Sequence, residues 1–366
     1  MPKKQLQQIR TPFLIALGCS IVLGAAVYIA AIYCPGKVAY ETATSTPPAR
    51  KLDILDYNRR MIVLANYGTT TSATGILATS TAWTATSSSI MSKNLWPAST
   101  VYPEARALLP FNRIVGYYGN FLSTQMGVLG QYPPDEVVQR LSDAVAEWQT
   151  ADPSTPVIPA VDYIAVVAQG GAGADGKYRL RMSDSEIEKA IVLADRVGGI
   201  VFLDVQPGLS DVQTEIPLLE KYLEMPEVHL ALDPEFSMKS GDRPGTVIGT
   251  MDAADVNFAA DYLAHIVKEF DLPPKILVVH RFTRHMVTNY QNIVALPQVQ
   301  IVLSMDGWGP PEKKLSTYQQ VVFGEPVQFA GIKLFYKNDL LPPSSGLLTP
   351  TGILSFKPEP IFVEYQ

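Results

Sequence analysis

This 366-residue sequence has few cysteines and a low fraction of charged residues. Cys19 and Cys34 are its two cysteines, so a disulfide scaffold or a thiolate metal site is excluded for the rest of the chain. Charged residues make up 17% and the net charge is -6, without the basic excess that meets phosphate backbones, so we expect no nucleic-acid partner. Hydrophobic residues, at 47%, are too frequent for a largely disordered chain and indicate a sizeable core.

An uncharged run at residues 13–33 is long enough to cross the hydrocarbon core of a bilayer as a helix. The basic residues that precede this run are Lys3, Lys4 and Arg10. The positive-inside rule then predicts a cytoplasmic N-terminus (1–11), a transmembrane anchor (12–34) and an extracytoplasmic remainder, with the lipid bilayer as a partner. A cleaved signal peptide and a lipid-modified cysteine are alternatives, but signal peptides usually have a shorter apolar region.

Residues 35–106 have the composition of a stalk or linker that is partly disordered. Thirteen of the 21 residues at 69–89 are serine or threonine, and such a low-complexity stretch can bury little surface. A short apolar helix is predicted at 52–64. The sequence leaves open whether this helix packs against the domain that follows.

The remaining residues, 107–366, contain eight apolar, β-branched runs of the kind expected for parallel strands buried on both faces. The runs begin at Arg113, Val157, Ile200, Val228, Lys275, Gln300, Ala330 and Ile361. Amphipathic helical segments lie between most of them, and Pro217 is expected to kink the third. The length is close to the roughly 250 residues typical of a (β/α)8 TIM-like barrel, so we predict that fold, with an open doubly wound sheet as the alternative.

Polar side chains interrupt these runs near their C-terminal ends, where barrels of this kind place their active sites. Residues two apart on a strand share a face, so Asp204 with Gln206, and Asp233 with Glu235, are predicted to point together into the barrel mouth. Carboxyl groups that converge in one cavity push their pKa values apart, which gives a protonated acid beside an ionised base or nucleophile. The other polar or aromatic residues expected at the mouth are Tyr117, Tyr118, Asp162, His280, Arg281, Asp306, Trp308, Lys333 and Tyr336.

Acidic residues combined with aromatic rings are typical of sites that cleave glycosidic bonds. We therefore predict a glycoside-hydrolase-like enzyme that acts on cell-envelope carbohydrate with Glu235 as the general acid. Asp233 would orient the acid or the substrate, and Asp204 or Asp306 would be the base, nucleophile or charge stabiliser. The remaining mouth residues, together with Gln206, would bind the carbohydrate or another small-molecule ligand, and neither a cofactor nor a metal is expected.

Two alternatives remain. The first is a non-catalytic carbohydrate-binding or structural envelope protein, in which Lys333, Arg281 and His280 only neutralise the carboxylates. The second is a metal-dependent hydrolase with ligands from His280 and the four catalytic carboxylates, although no H-x-H or H-E-x-x-H spacing occurs. A G-x-G-x-x-G pattern at 171–176 lacks the helix that a dinucleotide site needs directly after it.

Five strings of the barrel region are distinctive: FLDVQPG at Phe202, LALDPEF at Leu230, ILVVHRF at Ile276, MDGWG at Met305 and IKLFYKND at Ile332. Together they resemble a family of uncharacterised bacterial envelope proteins, membrane-anchored or lipoprotein-like, with a predicted TIM-barrel domain. The resemblance covers roughly residues 107–366. It implies an exported bacterial barrel, but no activity or catalytic residue, since none is established for that family. The DPE string is also similar to the acid-bearing strand of chitinase-like barrels, whose longer acidic signature is absent here.

Overall fold

Eight parallel strands in the computed structural model coincide with the eight apolar runs. The structure describes residues 51–67 and 95–366. The barrel strands are β1 (Arg113–Gly119), β2 (Val157–Ala168), β3 (Ile200–Val205), β4 (Val228–Leu232), β5 (Lys275–Arg281), β6 (Val299–Met305), β7 (Phe329–Leu334) and β8 (Phe362–Tyr365). Most of their residues are buried, which explains why the runs show so little polar alternation.

The eight strands close into a ring. Each strand pairs in parallel with the next one along the chain. The ring is completed by β8, which pairs in parallel with β1 so that Val363 lies opposite Val115. Every strand of the ring therefore has a partner on both sides, which confirms the predicted barrel and excludes the open sheet.

Helices cover much of the outside of the ring. The helices are α1 (Ile54–Ala65), α2 (Val128–Gln131), α3 (Pro134–Ala151), α4 (Asp184–Asp195), α5 (Val212–Glu215), α6 (Glu220–Leu223), α7 (Ala253–Glu269), α8 (Pro311–Tyr318) and α9 (Pro350–Leu354). As predicted, Pro217 interrupts the third crossover, because a 3-10 turn at Ile216–Leu219 separates α5 from α6. The crossover from β5 to β6 consists of two short 3-10 turns, Arg284–Met286 and Tyr290–Asn292, and the two-residue strand Val287–Thr288.

The two faces of the barrel strands pack into separate apolar clusters. Side chains that point inward, such as Phe202, Val278 and Phe362, fill the N-terminal half of the barrel. Side chains that point outward, such as Val201, pack under the helices in a larger cluster that includes Trp148 of α3. The polar residues of the interior are thereby confined to the C-terminal half.

The N-terminal end of the barrel is closed by α1 and the segment 107–112. Tyr57 and Met61 of α1 belong to the interior cluster, and Leu109 is fully buried with them. The amphipathic character of α1 is therefore used to cover the barrel floor.

The predicted stalk boundary at residue 106 is corrected by these contacts. After α1, the Asn66 side chain donates hydrogen bonds to the carbonyl oxygens of Leu354 and Phe356, at 3.0 and 2.8 Å. The indole of Trp96 donates to the carbonyl oxygen of Phe323 at 3.0 Å. Residues 51–67 and 95–106 thus belong to the barrel domain, because long-range packing that composition does not reveal fixes them there.

Two predicted segments lie outside the described residues, namely the Ser/Thr-rich stretch at 69–89 and the membrane anchor at 12–34. Within residues 51–67 and 95–366, no helix has both the length and the apolar character needed to cross a membrane.

The glycine-rich pattern at 171–176 lies in a hairpin. A short strand, Arg179–Arg181, pairs antiparallel with the end of β2, so the pattern connects two strands. A dinucleotide site would need it to lead from a strand directly into a helix. The structure therefore does not support a dinucleotide site at this glycine-rich pattern.

The side chain of Gln300 holds the barrel floor in place. It is fully buried at the start of β6. Its Oε1 accepts hydrogen bonds from the amides of Leu108 and Leu109 at 3.0 and 3.1 Å, and its Nε2 donates to the carbonyl oxygen of Leu109 at 2.6 Å.

We expect Gln300→Ala to lower the free energy of unfolding by about 2–4 kcal/mol, because three backbone groups lose their partners in a largely dry interior. Urea titration followed by tryptophan fluorescence measures this loss. Gln139→Ala, on the exposed face of α3, is the control and should change the free energy by less than about 0.5 kcal/mol. A loss below about 1 kcal/mol for Gln300→Ala would show that apolar packing alone holds the floor.

Candidate active site

Five carboxyl groups point into the C-terminal half of the barrel. Strand alternation puts those on the strands on the inward face, as with Asp204, two residues beyond the inward-facing Phe202, while Asp233 and Asp306 directly follow their strands. All five are at most 7% exposed. We call them the inner acid layer, which comprises Asp162, Asp204, Asp233, Asp306 and Glu364.

A cavity of about 680 Å³ opens above this layer at the C-terminal ends of the strands. Its apolar wall includes Met126, Phe282 and Phe335, which sequence reasoning did not single out. The predicted mouth residues that line it are Tyr118, Gln206, Asp233, Glu235, Asp306, Trp308 and Lys333. We call this cavity the mouth pocket.

Three further predicted residues, Asp162, Asp204 and His280, lie in the barrel interior and do not line the mouth pocket. All three are fully buried. The Nε2 atom of His280 is 3.5 Å from Oδ2 of Asp204. Of the two carboxyls proposed as base or nucleophile, Asp306 therefore faces the pocket and Asp204 does not.

Three predicted mouth residues lie on the outside of the barrel and do not line the mouth pocket, which corrects their predicted position. Tyr117 points outward, where its hydroxyl contacts that of Tyr336 at 3.2 Å, and the Tyr336 ring stacks on Tyr365. Arg281 points outward to Glu325, with an N–O distance of 2.7 Å. The physical reason is alternation, since Tyr118 and His280 take the inward positions next to Tyr117 and Arg281.

Asp233 and Glu235 share the pocket for a reason other than strand alternation. Strand β4 ends at Leu232, and Asp233 caps the 3-10 turn Pro234–Phe236 by accepting a hydrogen bond from the Glu235 amide at 3.2 Å. Gln206 donates to Oδ2 of Asp233 at 3.2 Å and to the Tyr118 hydroxyl at 3.0 Å. Backbone and side-chain donors thus fix the Asp233 carboxylate, while Glu235 projects from the turn.

Lys333 is the cation at the centre of the inner acid layer. Its Nζ lies 2.8 Å from Oε2 of Glu364 and 3.5 Å from the centroid of the Tyr118 ring. Burial acts to lower the pKa of Lys333, but the carboxylates, Glu364 foremost, outweigh it and the net pKa is raised. Lys333 therefore stays charged.

Two charged residues near the pocket were missed by the sequence analysis. Glu364 is the only charged residue of its strand, and its inward position could have been read from Phe362 two residues earlier. Lys314 of α8 forms an ion pair with Asp339 at 3.0 Å and donates to the carbonyl oxygen of Lys333 at 2.7 Å. No spacing signal in the sequence indicates that second contact.

The carboxyl groups of the mouth pocket differ in pKa. Burial raises the pKa of Asp233 to about 6, although the Lys333 ammonium and the groups that donate hydrogen bonds to Asp233 oppose the rise. Burial and the neighbouring Asp233 raise the pKa of Glu235 to about 7. Burial also raises the pKa of Asp306 well above its usual value. At neutral pH, Asp233 is mainly ionised, whereas Glu235 keeps its proton in about half of the molecules.

Comparisons with known proteins do not identify a family for this chain. The sequence matches no protein-family model and no curated protein. Among solved structures, the chain is similar to one described as Cellulase Cel5C_n, at 14% identity over 63% of this chain and 67% of that chain, with a TM-score of 0.36. The barrel assignment here depends on the strand pairing of this chain itself.

Glu235→Gln should become more stable relative to wild type as pH rises. The pKa of Glu235 is raised on folding, so its favourable contribution is fully present below about pH 4.5 and is lost as pH rises through about 7. Glutamine carries no charge and escapes this loss. We expect the unfolding free energy of the variant to gain about 2–3 kcal/mol on wild type between pH 5 and pH 8.

Urea unfolding of both proteins at several pH values measures this difference. Glu188→Gln, at an exposed position on α4, is the control and should track wild type within about 0.5 kcal/mol at every pH. A pH-independent difference for Glu235→Gln would mean that the carboxyl titrates alike in the folded and unfolded chains.

Proposed function

We propose that the protein is a glycoside-hydrolase-like enzyme with Glu235 as its general acid. One observation carries the proposal: a carboxyl group with a pKa of about 7 stands in the wall of an open pocket beside further carboxyls. A general acid works best when its pKa lies near the working pH. Cleavage of a glycosidic bond uses such an acid together with a second carboxylate.

We assign the other roles from the pKa values of the carboxyl groups in the mouth pocket. Asp233 has the lower pKa of the two groups on the DPE turn and supplies the negative charge that stabilises an oxocarbenium-like transition state. Glu235 gives its proton to the leaving oxygen as the bond between that oxygen and the anomeric carbon breaks. The hydroxyl of a water molecule then adds to the anomeric carbon, and the remaining proton of that water returns to the carboxylate of Glu235. Asp306, whose pKa burial raises well above its usual value, contacts a sugar hydroxyl through its carboxyl group.

The rest of the pocket suits a sugar. Trp308 at the rim is 50% exposed and offers a ring on which a sugar face can stack. Gln206 and Lys333 supply polar groups deeper in the pocket, while Phe282 and Phe335 contribute apolar wall. A few placed polar groups on an apolar lining are typical of small-molecule sites.

The location of the substrate is part of the proposal. The apolar run at 13–33 and the resemblance to envelope proteins favour a membrane-anchored protein whose barrel is exported. The substrate we propose is accordingly a carbohydrate of the bacterial cell envelope.

Glu235→Gln should reduce hydrolysis at least about 100-fold in kcat/KM, because general acid catalysis typically contributes about 10²–10⁴. The assay uses the full chain and fluorophore-labelled oligosaccharides of glucose, galactose and N-acetylglucosamine, with products separated by chromatography. The wild-type rate should fall on the alkaline side as Glu235 loses its proton near pH 7. Glu188→Gln should match wild type.

Retention of an oligosaccharide without any product would favour the non-catalytic binder instead. Equal turnover by Glu235→Gln and wild type would remove Glu235 from the mechanism.

Trp308→Ala should weaken oligosaccharide binding by about tenfold, since loss of an aromatic platform is worth about 1–2 kcal/mol. Calorimetry with the Glu235→Gln background, which prevents turnover, measures the dissociation constant. Phe270→Ala removes a comparably exposed ring just after α7 and is the control. Equal affinities for the two variants would show that Trp308 does not contact the ligand.

A further inference from the structure

Beneath the mouth pocket, three potential metal ligands from three strands converge in the barrel interior. They are Asp162 on β2, Glu364 on β8 and His280 on β5. One ligand atom from each lies within 4.8 Å of the other two. All three side chains are fully buried.

Gly116 permits this convergence. It occupies β1, the strand between β2 and β8, and it is in register with both Ala160 and Glu364. A Cβ atom at this position would already lie 3.3 Å from the Ala160 Cβ. Because no side chain projects from Gly116, Asp162 and Glu364 meet across the strand that separates them.

The polar atoms of this cluster lack the partners that buried groups normally have. Within residues 51–67 and 95–366, neither oxygen of Asp162 and neither ring nitrogen of His280 has a hydrogen-bond partner. The oxygens of the adjacent Asp204 are also without one in the same part of the chain. A buried polar group without a partner typically costs about 1–3 kcal/mol, and more if it is charged, so the cluster calls for a ligand.

The charge of the inner acid layer points to a cation. Its five carboxylates, when ionised, face the ammonium of Lys333, which leaves four negative charges in excess within the layer. The buried ammonium of Lys314 also acts on Asp306 but is paired with Asp339. A divalent ion would halve that excess and would still leave the layer negative. Lys333 can therefore keep its ion pair with Glu364 while a metal is bound.

We propose that Asp162, His280 and Glu364 form a binding site for a divalent first-row transition metal ion such as Zn²⁺ or Mn²⁺. One imidazole with two carboxylates suits these ions, whereas Ca²⁺ takes six to eight oxygen ligands. Ligand distances of about 2.0–2.2 Å place the three ligand atoms of a tetrahedral or trigonal site about 3.3–3.8 Å apart, so atoms that now lie within 4.8 Å of one another must approach by up to about 1.5 Å, which side-chain rotation can supply.

Asp204 completes the arrangement as a positioning residue. Its Oδ2 is 3.5 Å from Nε2 of His280, so it lies where a carboxylate can accept a hydrogen bond from that nitrogen after a small approach. Metal-bound histidines are commonly oriented by such a carboxylate. The site shares only His280 with the ligand set that the sequence suggests, and it does not include Glu235, so it stands apart from the proposed hydrolysis.

The test uses the full chain after chelator treatment and dialysis, titrated by calorimetry with Zn²⁺ and separately with Mn²⁺ and Ca²⁺. We expect one Zn²⁺ or Mn²⁺ per chain and weaker binding of Ca²⁺. Loss of an outer partner of a metal typically weakens binding 10–100-fold, so Asp162→Asn should weaken it at least about 100-fold. Asp152→Asn removes a carboxylate that pairs with Arg113 at the other end of the barrel and should leave affinity unchanged.

Pulsed electron paramagnetic resonance of the wild-type Mn²⁺ complex gives a readout that does not depend on the folding of any variant. It should show coupling to one imidazole nitrogen, which disappears in His280→Gln. Absence of stoichiometric Zn²⁺ or Mn²⁺ binding, a bound ion without imidazole coupling, or tighter binding of Ca²⁺ would overturn the proposal.

Discussion

A single buried ammonium set among five buried carboxyl groups is the constraint on which the site depends. Lys333 touches Glu364 directly, and its charge lowers the pKa of Asp233 and Glu235 against the effect of burial. Since one positive charge cannot balance all the acids, they cannot all be ionised at neutral pH without another cation. This imbalance produces both the protonated group in the mouth pocket and the unpaired cluster below it.

The fold was largely readable from the sequence because barrel strands are buried on both faces. Eight apolar runs joined by seven crossovers leave few other ways to satisfy the backbone of a chain of this length. The position of α1 against the barrel floor could not be predicted from the sequence. Its apolar positions predict a helix, but only the barrel floor, formed by residues far along the chain, provides a surface for Tyr57 and Met61. Composition assigned residues 51–67 to a stalk for the same reason.

The site was predictable to the extent that strand alternation was applied. The rule separates Tyr118 from Tyr117 and His280 from Arg281, and the structure places the first of each pair inside. The same rule predicts that Glu364 points inward. It was missed because it is a single acidic residue in a short run at the end of the sequence. Asp233 and Glu235 meet through a turn at which alternation no longer holds. How many carboxyls surround one lysine is a property of the closed ring and cannot be read from any one segment.

The apolar filling of the N-terminal half closes that end of the barrel interior in the part of the chain that the structure describes. Phe202, Val278 and Phe362 seal it from below, with α1 across the end. Water, protons and ions that reach Asp162 must therefore enter from the other end, past the groups that line the mouth pocket. A ligand bound in the mouth pocket would block this route. Exchange of water, protons and ions with Asp162 should therefore slow while the ligand is bound.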